Sequence, residues 1–350
     1  MTQWRWSGLC TRRAATQPYL LSSSVVINAE PLFKPWSEPV FYVAHRVFAA
    51  HDRLLGALIA QELGTAVGMS EVFLPFCDTD EENLVAEVKG RRLFELDCEQ
   101  LAHLQGLLAV LHGPSLDDGV CMEIGYAAAL CVPIVVLTTD FQTYGAAEHG
   151  AALHFPDALI QSVVTEIVRV DHLAVRVDNG SRFEASRDQN LGQLTTAVRL
   201  AVDRLVHHAR CLSECKPAAP EPGPLAVCER SPYYTSTDWT QIIALLENRG
   251  YRVHQAGRSG VANPLVATCQ DWTELLGAEL LVVDTTGPET PCGAAVLIGA
   301  ATALGRRIIA WHPTPSWTFA RGREPNWRNL MIQYSIHAQV SDVPSLESLI

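Results

Sequence analysis

The sequence has few features of a secreted, membrane-spanning or nucleic-acid-binding protein. Its ten cysteines form no Cys-x-x-Cys pair and several lie in apolar segments, so a reducing compartment, the cytoplasm, is the simpler expectation. No apolar run reaches the roughly 18–20 residues that a membrane helix needs. Basic residues are outnumbered, 26 against 38 acidic ones, and the net charge of −12 argues against a general nucleic-acid binder.

Cofactor motifs are also missing. Neither a phosphate-binding loop nor a Gly-x-Gly-x-x-Gly segment follows a predicted strand, so no dinucleotide cofactor is expected. Cys211 and Cys215 have a spacing that can bind a metal, but no second pair of ligands accompanies them. We therefore expect a protein that works without cofactor or metal.

The N-terminus has an unusual composition. Residues 1–29 contain three arginines and no acidic residue, which is typical of an organelle-transit segment. A poorly structured N-terminal extension over residues 1–39 is the simpler interpretation, with organelle targeting as the alternative to a cytoplasmic location.

The order of the predicted elements favours an α/β fold. Hydrophobic residues make up 48% of the chain, enough for a large core. Short apolar segments, such as 40–46 and 107–111, alternate with helical patterns, such as 48–63 and 121–130. This alternation predicts a doubly wound parallel sheet, which binds its ligand beyond the carboxyl ends of the strands.

A second set of such elements follows a proline-rich segment. The segment Met122–Leu130 (MEIGYAAAL) aligns with Val296–Leu304 (VLIGAATAL), and the same register places Asp271 opposite Asp97. A repeat of this length predicts two copies of one fold, although an unrelated second domain is the alternative. The predicted fold is therefore two tandem Rossmann-like (flavodoxin-like) doubly wound domains with parallel sheets. Their predicted ranges are 40–212 and 232–350, joined by a linker over 213–231.

Three carboxylates of the first half could carry chemistry. Asp97 lies in a predicted helix, Asp117 in the loop after the next strand, and Glu123 in the first turn of the following helix. Taken singly, Asp117 is explained as a helix N-cap and Glu123 by the helix dipole. Their joint spacing is the stronger signal.

That spacing resembles the nucleoside 2-deoxyribosyltransferase family. The segment Asp117–Ala127 is similar to the family's Asp-x-Gly-Thr-x-x-Glu-x-Gly hallmark, and Asp97 stands where the family has an upstream Asp. Three further segments resemble the family's first two strands and a later loop: Tyr42–Ala44, Val72–Pro75 and Thr138–Phe141. The resemblance covers about residues 41–145.

The resemblance implies a two-step, retaining transfer at C1′ of a deoxyribose. Glu123 would be the nucleophile and form a covalent glycosyl ester, while Asp117 and Asp97 would hold the base and one of them would protonate it. The residues expected to bind the substrate are His45, Arg46, Phe48, Gly119, Asn329 and Met331. The expected partners are a nucleoside or nucleotide and a free nucleobase, but no nucleic acid and no membrane.

The sequence departs from the family pattern at three places. Val120 replaces the hallmark threonine, and Gln105 replaces an aspartate before the third strand. More important, His45-Arg46 replaces small or aromatic residues in a loop that frames the pocket. Arg46 would suit a phosphate or carboxylate on the substrate; a surface salt bridge is the alternative.

The second copy lacks the nucleophile. Leu297 stands at the position of Glu123 and Pro291 at that of Asp117, so this half is expected to be inactive. Asn329 resembles a family residue that contacts the sugar 5′-hydroxyl of a neighbouring subunit, whereas the first copy has Asp157 there. We therefore expect one composite site in a pseudo-dimer, which could assemble further into a homo-oligomer; simple capping of a turn by Asn329 is the alternative.

Three functions fit these residues. The first is transfer of 2-deoxyribose between nucleobases. The second is hydrolysis of a nucleoside or nucleoside 5′-monophosphate on the same fold, in which water replaces the acceptor base. The third is a non-catalytic sensor of nucleosides or nucleotides.

Overall fold

Two five-stranded parallel sheets, each flanked by helices, form the framework of the protein. The structure is a computed structural model, and it describes residues 40–144, 153–170, 172–173, 175–176, 181–211, 220–229, 239–257, 263–312, 317–319 and 322–350. The predicted N-terminal extension, 1–39, therefore lies outside the described residues, as does Cys215. No helix among the described residues is long and apolar enough to cross a membrane.

The first sheet has the strand order β2-β1-β3-β4-β5. Its strands are β1 (Val40–Ala44), β2 (Val72–Phe73), β3 (Leu104–Val110), β4 (Ile134–Thr138) and β5 (Glu166–Arg169). Its helices are α1 (Ala50–Val67), α2 (Lys89–Leu101), α3 (Asp118–Ala129), α4 (Ala158–Val163) and α5 (Arg182–Cys211). Strands β3 and β4 are apolar along nearly their whole length because helices cover both faces of the sheet.

The second sheet has the strand order β10-β9-β8-β6-β7. Counted from the β7 edge, its strands follow one another in the same order as those of the first sheet. Its strands are β6 (Gly223–Glu229), β7 (Arg252–Ala256), β8 (Ala278–Asp284), β9 (Arg307–Trp311) and β10 (Ala338–Val340). Its helices are α6 (Thr240–Asn248), α7 (Pro264–Gly277), α8 (Cys292–Ala303), α9 (Leu330–Ser335) and α10 (Val343–Glu347). The predicted fold class is confirmed: each half is a parallel α/β sheet with the flavodoxin-like order.

The predicted linker, 213–231, contains a strand of the second sheet. Residues 223–229 form β6, which pairs with β7 on one side and β8 on the other. The nearby prolines hid this strand, because Pro222 and Pro224 stand at its beginning, where a missing N–H is tolerated. The apolar run that follows is buried, and it lies between β7 and β8. The predicted domain ranges stay predictions.

Helix α3 begins earlier than the sequence pattern indicates. Its N-cap is Asp117, whose side chain accepts a hydrogen bond from the Val120 N–H at 3.0 Å. Glu123 therefore lies in the second turn of the helix rather than in its first. The capping aspartate and the following small residues start the helix before the apolar pattern becomes visible.

The two halves meet at α3 and α8, within one compact unit that spans Glu38–Ile350. Gly125 of α3 lies against the Val296 carbonyl, and Gly299 of α8 lies against the Met122 carbonyl. Side chains from both sheets join in one apolar core around this helix pair. The helices cross so closely because neither glycine has a Cβ.

Candidate active site

A cavity of about 390 Å³ lies at the carboxyl ends of β1, β2 and β3, beside the N-terminus of α3. Parallel α/β sheets bind ligands at this edge. The cavity is lined by residues of both halves of the chain. All nine predicted site residues line it: His45, Arg46, Phe48, Asp97, Asp117, Gly119, Glu123, Asn329 and Met331.

Glu123 is buried and is held by a strand of the first sheet. The Tyr42 hydroxyl of β1 donates a hydrogen bond to Glu123 Oε1 at 2.7 Å, and both residues are buried. Burial raises the pKa of Glu123, and nearby Asp97 raises it further, whereas the Tyr42 hydrogen bond favours the charged form. Tyr42 was missed as a site residue because its apolar surroundings read only as a strand.

Asp97 of α2 lies in the cavity wall. The residue is 8% exposed, and its buried Oδ1 has no hydrogen-bond partner among the described residues. Burial raises the pKa of Asp97 to about 8; Glu81 raises it further, and the Arg323 guanidinium lowers it. At neutral pH this carboxyl group therefore holds a proton that it can donate to a base.

Two adjacent carboxylates follow β3. Asp117 caps α3, and burial raises its pKa while the positive charge of Arg46 lowers it. Asp118 is buried and accepts a hydrogen bond from the Thr290 N–H of the second half at 3.1 Å. Burial, with the charge of Asp117, raises the pKa of Asp118 to about 7. The sequence pattern does not single out Asp118, because its partner is 172 residues away.

The second half brings an amide to the N-terminus of α3. Asn329 caps α9 through its Oδ1, which accepts from the Met331 N–H at 3.0 Å. Its Nδ2 lies so close to Gly119 that a Cβ on this glycine would be 2.6 Å away. The first half makes the equivalent contact with the second: a Cβ on Gly293 would lie 2.2 Å from Asp157 Oδ2. Asn329 therefore caps a helix and also lines the cavity.

The loop after β1 carries two basic residues, of which one is buried and one is exposed at the cavity rim. The His45 ring is buried against Gly56, and burial lowers the pKa of His45. Arg46 and Phe48 are exposed at the cavity rim. Arg46 makes no ion pair within 4 Å among the described residues, so the predicted surface salt bridge is not present there.

Sequence reasoning also missed residues that come from the second half and from a loop. Arg323 forms an ion pair with Glu81 in the cavity wall. Arg328 is buried, and its Nε donates to the Thr285 carbonyl at 3.0 Å. No helical or strand spacing marks these positions, since they lie in loops that meet only in the folded chain. Among the described residues, no cluster of His, Cys, Asp and Glu has a metal-binding arrangement.

The raised pKa of Asp97 leads to a prediction about stability. Because its pKa is about 8 in the folded chain and about 3.9 in an unfolded one, the folded state binds more protons between these values. Asp97 therefore stabilises the fold at low pH, and this stabilisation falls as the pH rises, by at most about 1.4 kcal/mol per pH unit. We expect Asp97→Asn to remove this slope in urea unfolding measured between pH 5 and 8.

An exposed carboxyl group is the control for this measurement. Asp203→Asn, on the outer face of α5, is expected to keep the wild-type dependence on pH. An Asp97→Asn protein with the same slope as the wild type would mean that Asp97 is ionised across this range.

Comparisons with known proteins agree with the resemblance seen in the sequence. Residues 41–187 match the family model described as nucleoside 2-deoxyribosyltransferase. A conserved protein from Enterococcus faecalis V583 is 24% identical over 39% of this chain and 93% of its own, with a TM-score of 0.30. A 2-desoxiribosyltransferase from Leishmania mexicana is 14% identical over 36% of this chain and 96% of its own, with a TM-score of 0.30. The comparison with curated proteins found no match. Residues 41–187, which bring Asp97, Asp117 and Glu123 into one cavity, are therefore similar to the nucleoside 2-deoxyribosyltransferase family.

Proposed function

We propose that the protein transfers 2-deoxyribose between nucleobases through a covalent ester on Glu123. The observation that carries this proposal is the arrangement of Glu123, Tyr42 and Asp97. Buried Glu123 accepts a hydrogen bond from Tyr42, and the nearby Asp97 has a buried oxygen with no partner in the described part of the chain. Glycosidases also use a pair of carboxyl groups to cleave a glycosidic bond.

The surroundings of Glu123 and Asp97 decide which of them is the nucleophile and which is the acid. Burial raises the pKa of both carboxyl groups, and the charge of Asp97 raises that of Glu123 further, so the two do not both ionise readily and share a proton near neutral pH. The Tyr42 hydroxyl stabilises a negative charge on Glu123, whereas no donor among the described residues reaches the buried Oδ1 of Asp97. The proton therefore stays on Asp97, and Glu123 is the nucleophile.

The reaction follows in two steps. A Glu123 oxygen attacks C1′, the bond from C1′ to the base nitrogen breaks, and its electron pair takes the proton of Asp97. A second base then enters, its nitrogen attacks C1′, the Glu123 ester bond breaks, and the proton of the incoming base returns to Asp97. Each step passes through an oxocarbenium-like transition state beside carboxylates.

We further propose that the site is composite and that the chain is a pseudo-dimer of two related halves. The support is the reciprocal geometry of the halves: the same strand order, the glycine contacts of α3 and α8, and the paired contacts of Asn329 with Gly119 and Asp157 with Gly293. In the mirrored site Leu297 is buried at the nucleophile position, and leucine forms no ester. One half would supply Glu123, Asp97 and Asp117, and the other Asn329.

Hydrolysis of a nucleoside 5′-monophosphate is the second candidate. Arg46 favours it, since this exposed arginine stands at the cavity rim with no ion pair to neutralise it among the residues described. In this reaction water would replace the second base and Arg46 would bind the phosphate.

Product analysis tests the transfer. Purified protein is incubated with 2′-deoxynucleosides or their 5′-monophosphates, with and without a second free base, and the products are separated by chromatography. We expect a new deoxynucleoside only when the second base is present. Base released from monophosphates regardless of a second base would favour the hydrolase. Neither product, together with a ligand-dependent rise in melting temperature, would leave only a binding protein.

The composite site predicts a specific effect at Asn329. Asn329→Ser keeps an oxygen that caps α9 but removes the amide beside Gly119. We expect KM to rise about tenfold, the value of one lost hydrogen bond of about 1.4 kcal/mol, with little change in stability. Asn263→Ser is the matched control, because Asn263 caps α7 through the Leu265 N–H away from the cavity. Equal kinetics for both variants would contradict a composite site.

A further inference from the structure

We propose that Glu81 and Arg323 form the base subsite and select bases with a lactam edge. Such an edge has a ring N–H beside a carbonyl group, as in guanine, hypoxanthine, thymine and uracil; adenine and cytosine lack it. This inference rests on the function proposed above and adds its substrate class. It also gives the second half of the chain a part in choosing the base.

The position of the pair along the cavity points to the base rather than the sugar. Asn329 and Asp117 meet at Gly119, beside the N-terminus of α3. Glu123, Asp97, Glu81 and Arg323 line the same cavity, and the charges of Glu81 and Arg323 act on Asp97 while that of Asp97 acts on Glu123. A substrate whose C1′ faces Glu123 and whose base takes a proton from Asp97 therefore has the far edge of that base beside Glu81 and Arg323.

The pair has unused hydrogen-bonding capacity. Arg323 Nη2 donates to Glu81 Oε1, and their side chains are only 11% and 16% exposed. Neither side chain makes another hydrogen bond within the part of the chain that the structure describes. The remaining N–H groups of Arg323 and Glu81 Oε2 are therefore left for a ligand. Buried charged groups that keep such capacity discriminate strongly, because a ligand that fails to match them leaves them unpaired.

The hydrogen-bonding groups of a lactam edge are complementary to those of Arg323 and Glu81. The carbonyl oxygen accepts from the Arg323 guanidinium, and the adjacent ring N–H donates to the Glu81 carboxylate. Adenine and cytosine present the opposite pattern at that edge, an amino group and an unprotonated ring nitrogen. Their amino group would face the Arg323 donors, and their ring nitrogen would face the Glu81 oxygens.

Binding and turnover of six deoxynucleosides test this inference. The panel contains deoxyguanosine, deoxyinosine, thymidine and deoxyuridine against deoxyadenosine and deoxycytidine. Dissociation constants are measured by calorimetry on the Glu123→Gln protein, and kcat/KM on the wild type. We expect each lactam nucleoside to be favoured about tenfold to hundredfold over the amino-base nucleoside of its own ring size, the value of one matched pair of hydrogen bonds.

Variants of the pair separate recognition from a purely structural link between the halves. Glu81→Gln exchanges the carboxylate for an amide that can present either a donor or an acceptor, so the preference is expected to fall to within about threefold. Arg323→Lys keeps the ion pair but loses the planar fork, and it covers the case in which Glu81→Gln does not fold. Arg92→Gln is the matched control, since Arg92 pairs with Glu95 on the outer surface of α2. A structural link alone would change all six nucleosides equally and leave their ratio unchanged.

The outcomes are distinguishable from a failure of the proposed function. Turnover without a preference for lactam bases would overturn this inference and leave the transferase. A lactam preference in binding without turnover would support the base subsite and overturn the transferase. No binding and no turnover of any of the six would overturn both.

Discussion

The Glu123→Gln protein is expected to lose at least about 10³-fold in the rate of glycosidic-bond cleavage. An amide has nearly the shape of the carboxylate but does not form a glycosyl ester. Its oxygen still accepts the hydrogen bond of Tyr42, which is 2.7 Å from Glu123 Oε1 in the wild type. We therefore expect the fold to be kept while the reaction stops. The measurement is single-turnover release of base, with mass spectrometry of the acid-quenched wild type to detect one bound deoxyribosyl group.

Two further variants sharpen this result. Glu99→Gln, on the exposed face of α2, is the matched control and is expected to keep full activity. Tyr42→Phe removes one hydrogen bond to a charged group and is expected to reduce the rate about tenfold to hundredfold. If Glu123→Gln keeps more than a tenth of the wild-type rate, Glu123 is not the nucleophile.

A single methyl group at Gly125 is expected to destabilise the protein by at least about 3 kcal/mol. In the Gly125→Ala protein, the new Cβ would lie 1.9 Å from the Val296 carbonyl oxygen of α8. The obstacle is backbone in the middle of a helix, so no side-chain rotation relieves it and the two helices have to separate. Overpacking of this kind costs about 1–3 kcal/mol in ordinary cores and more where backbone is displaced. Gly299→Ala is expected to act in the same way, because its Cβ would lie 1.9 Å from the Met122 carbonyl oxygen.

Urea unfolding of three glycine variants checks this prediction. Gly192→Ala is the control: this residue lies in the middle of α5, and a Cβ there would meet nothing within 4 Å. It is expected to stabilise the protein by about 0.5–1 kcal/mol, since alanine favours a helix over glycine. Wild-type stability in Gly125→Ala would show that α3 and α8 do not pack through these glycines. Separation of the helices would also move Asn329 away from Gly119, so activity is expected to fall with stability.

The spacing of the three carboxylates and of the repeated segments predicted the site and the contact between the halves better than local composition did. The resemblance to the family implied that Asp97, Asp117 and Glu123 share one site, and the parallel sheet placed the Asp117 loop beyond the carboxyl end of a strand. They do line one cavity, together with the other predicted residues. The register between Met122–Leu130 and Val296–Leu304 likewise corresponds to the two helices that cross between the halves.

Local composition predicted structure less reliably at a short strand beside prolines and at single polar side chains. Prolines concealed β6, although this strand lies inside the second sheet, between β7 and β8. Asp118 looked like an ordinary turn residue, yet it holds the Thr290 N–H of the other half. The hydroxyl of Tyr42 could not be placed, since alternation along a strand says which face a side chain takes but not which group it meets.

The alternation of strands with helices, the parallel arrangement of the strands and the position of Asp117 beyond a strand end follow from the sequence alone, because periodicity and right-handed connections leave few alternatives. Only the tertiary structure decided which groups of the two halves touch. The contact of Asn329 with Gly119, the pair of Glu81 and Arg323, and the close crossing at Gly125 all join residues more than 150 positions apart. Such contacts depend on how two packed surfaces fit in three dimensions, and no periodic pattern within either segment records that fit.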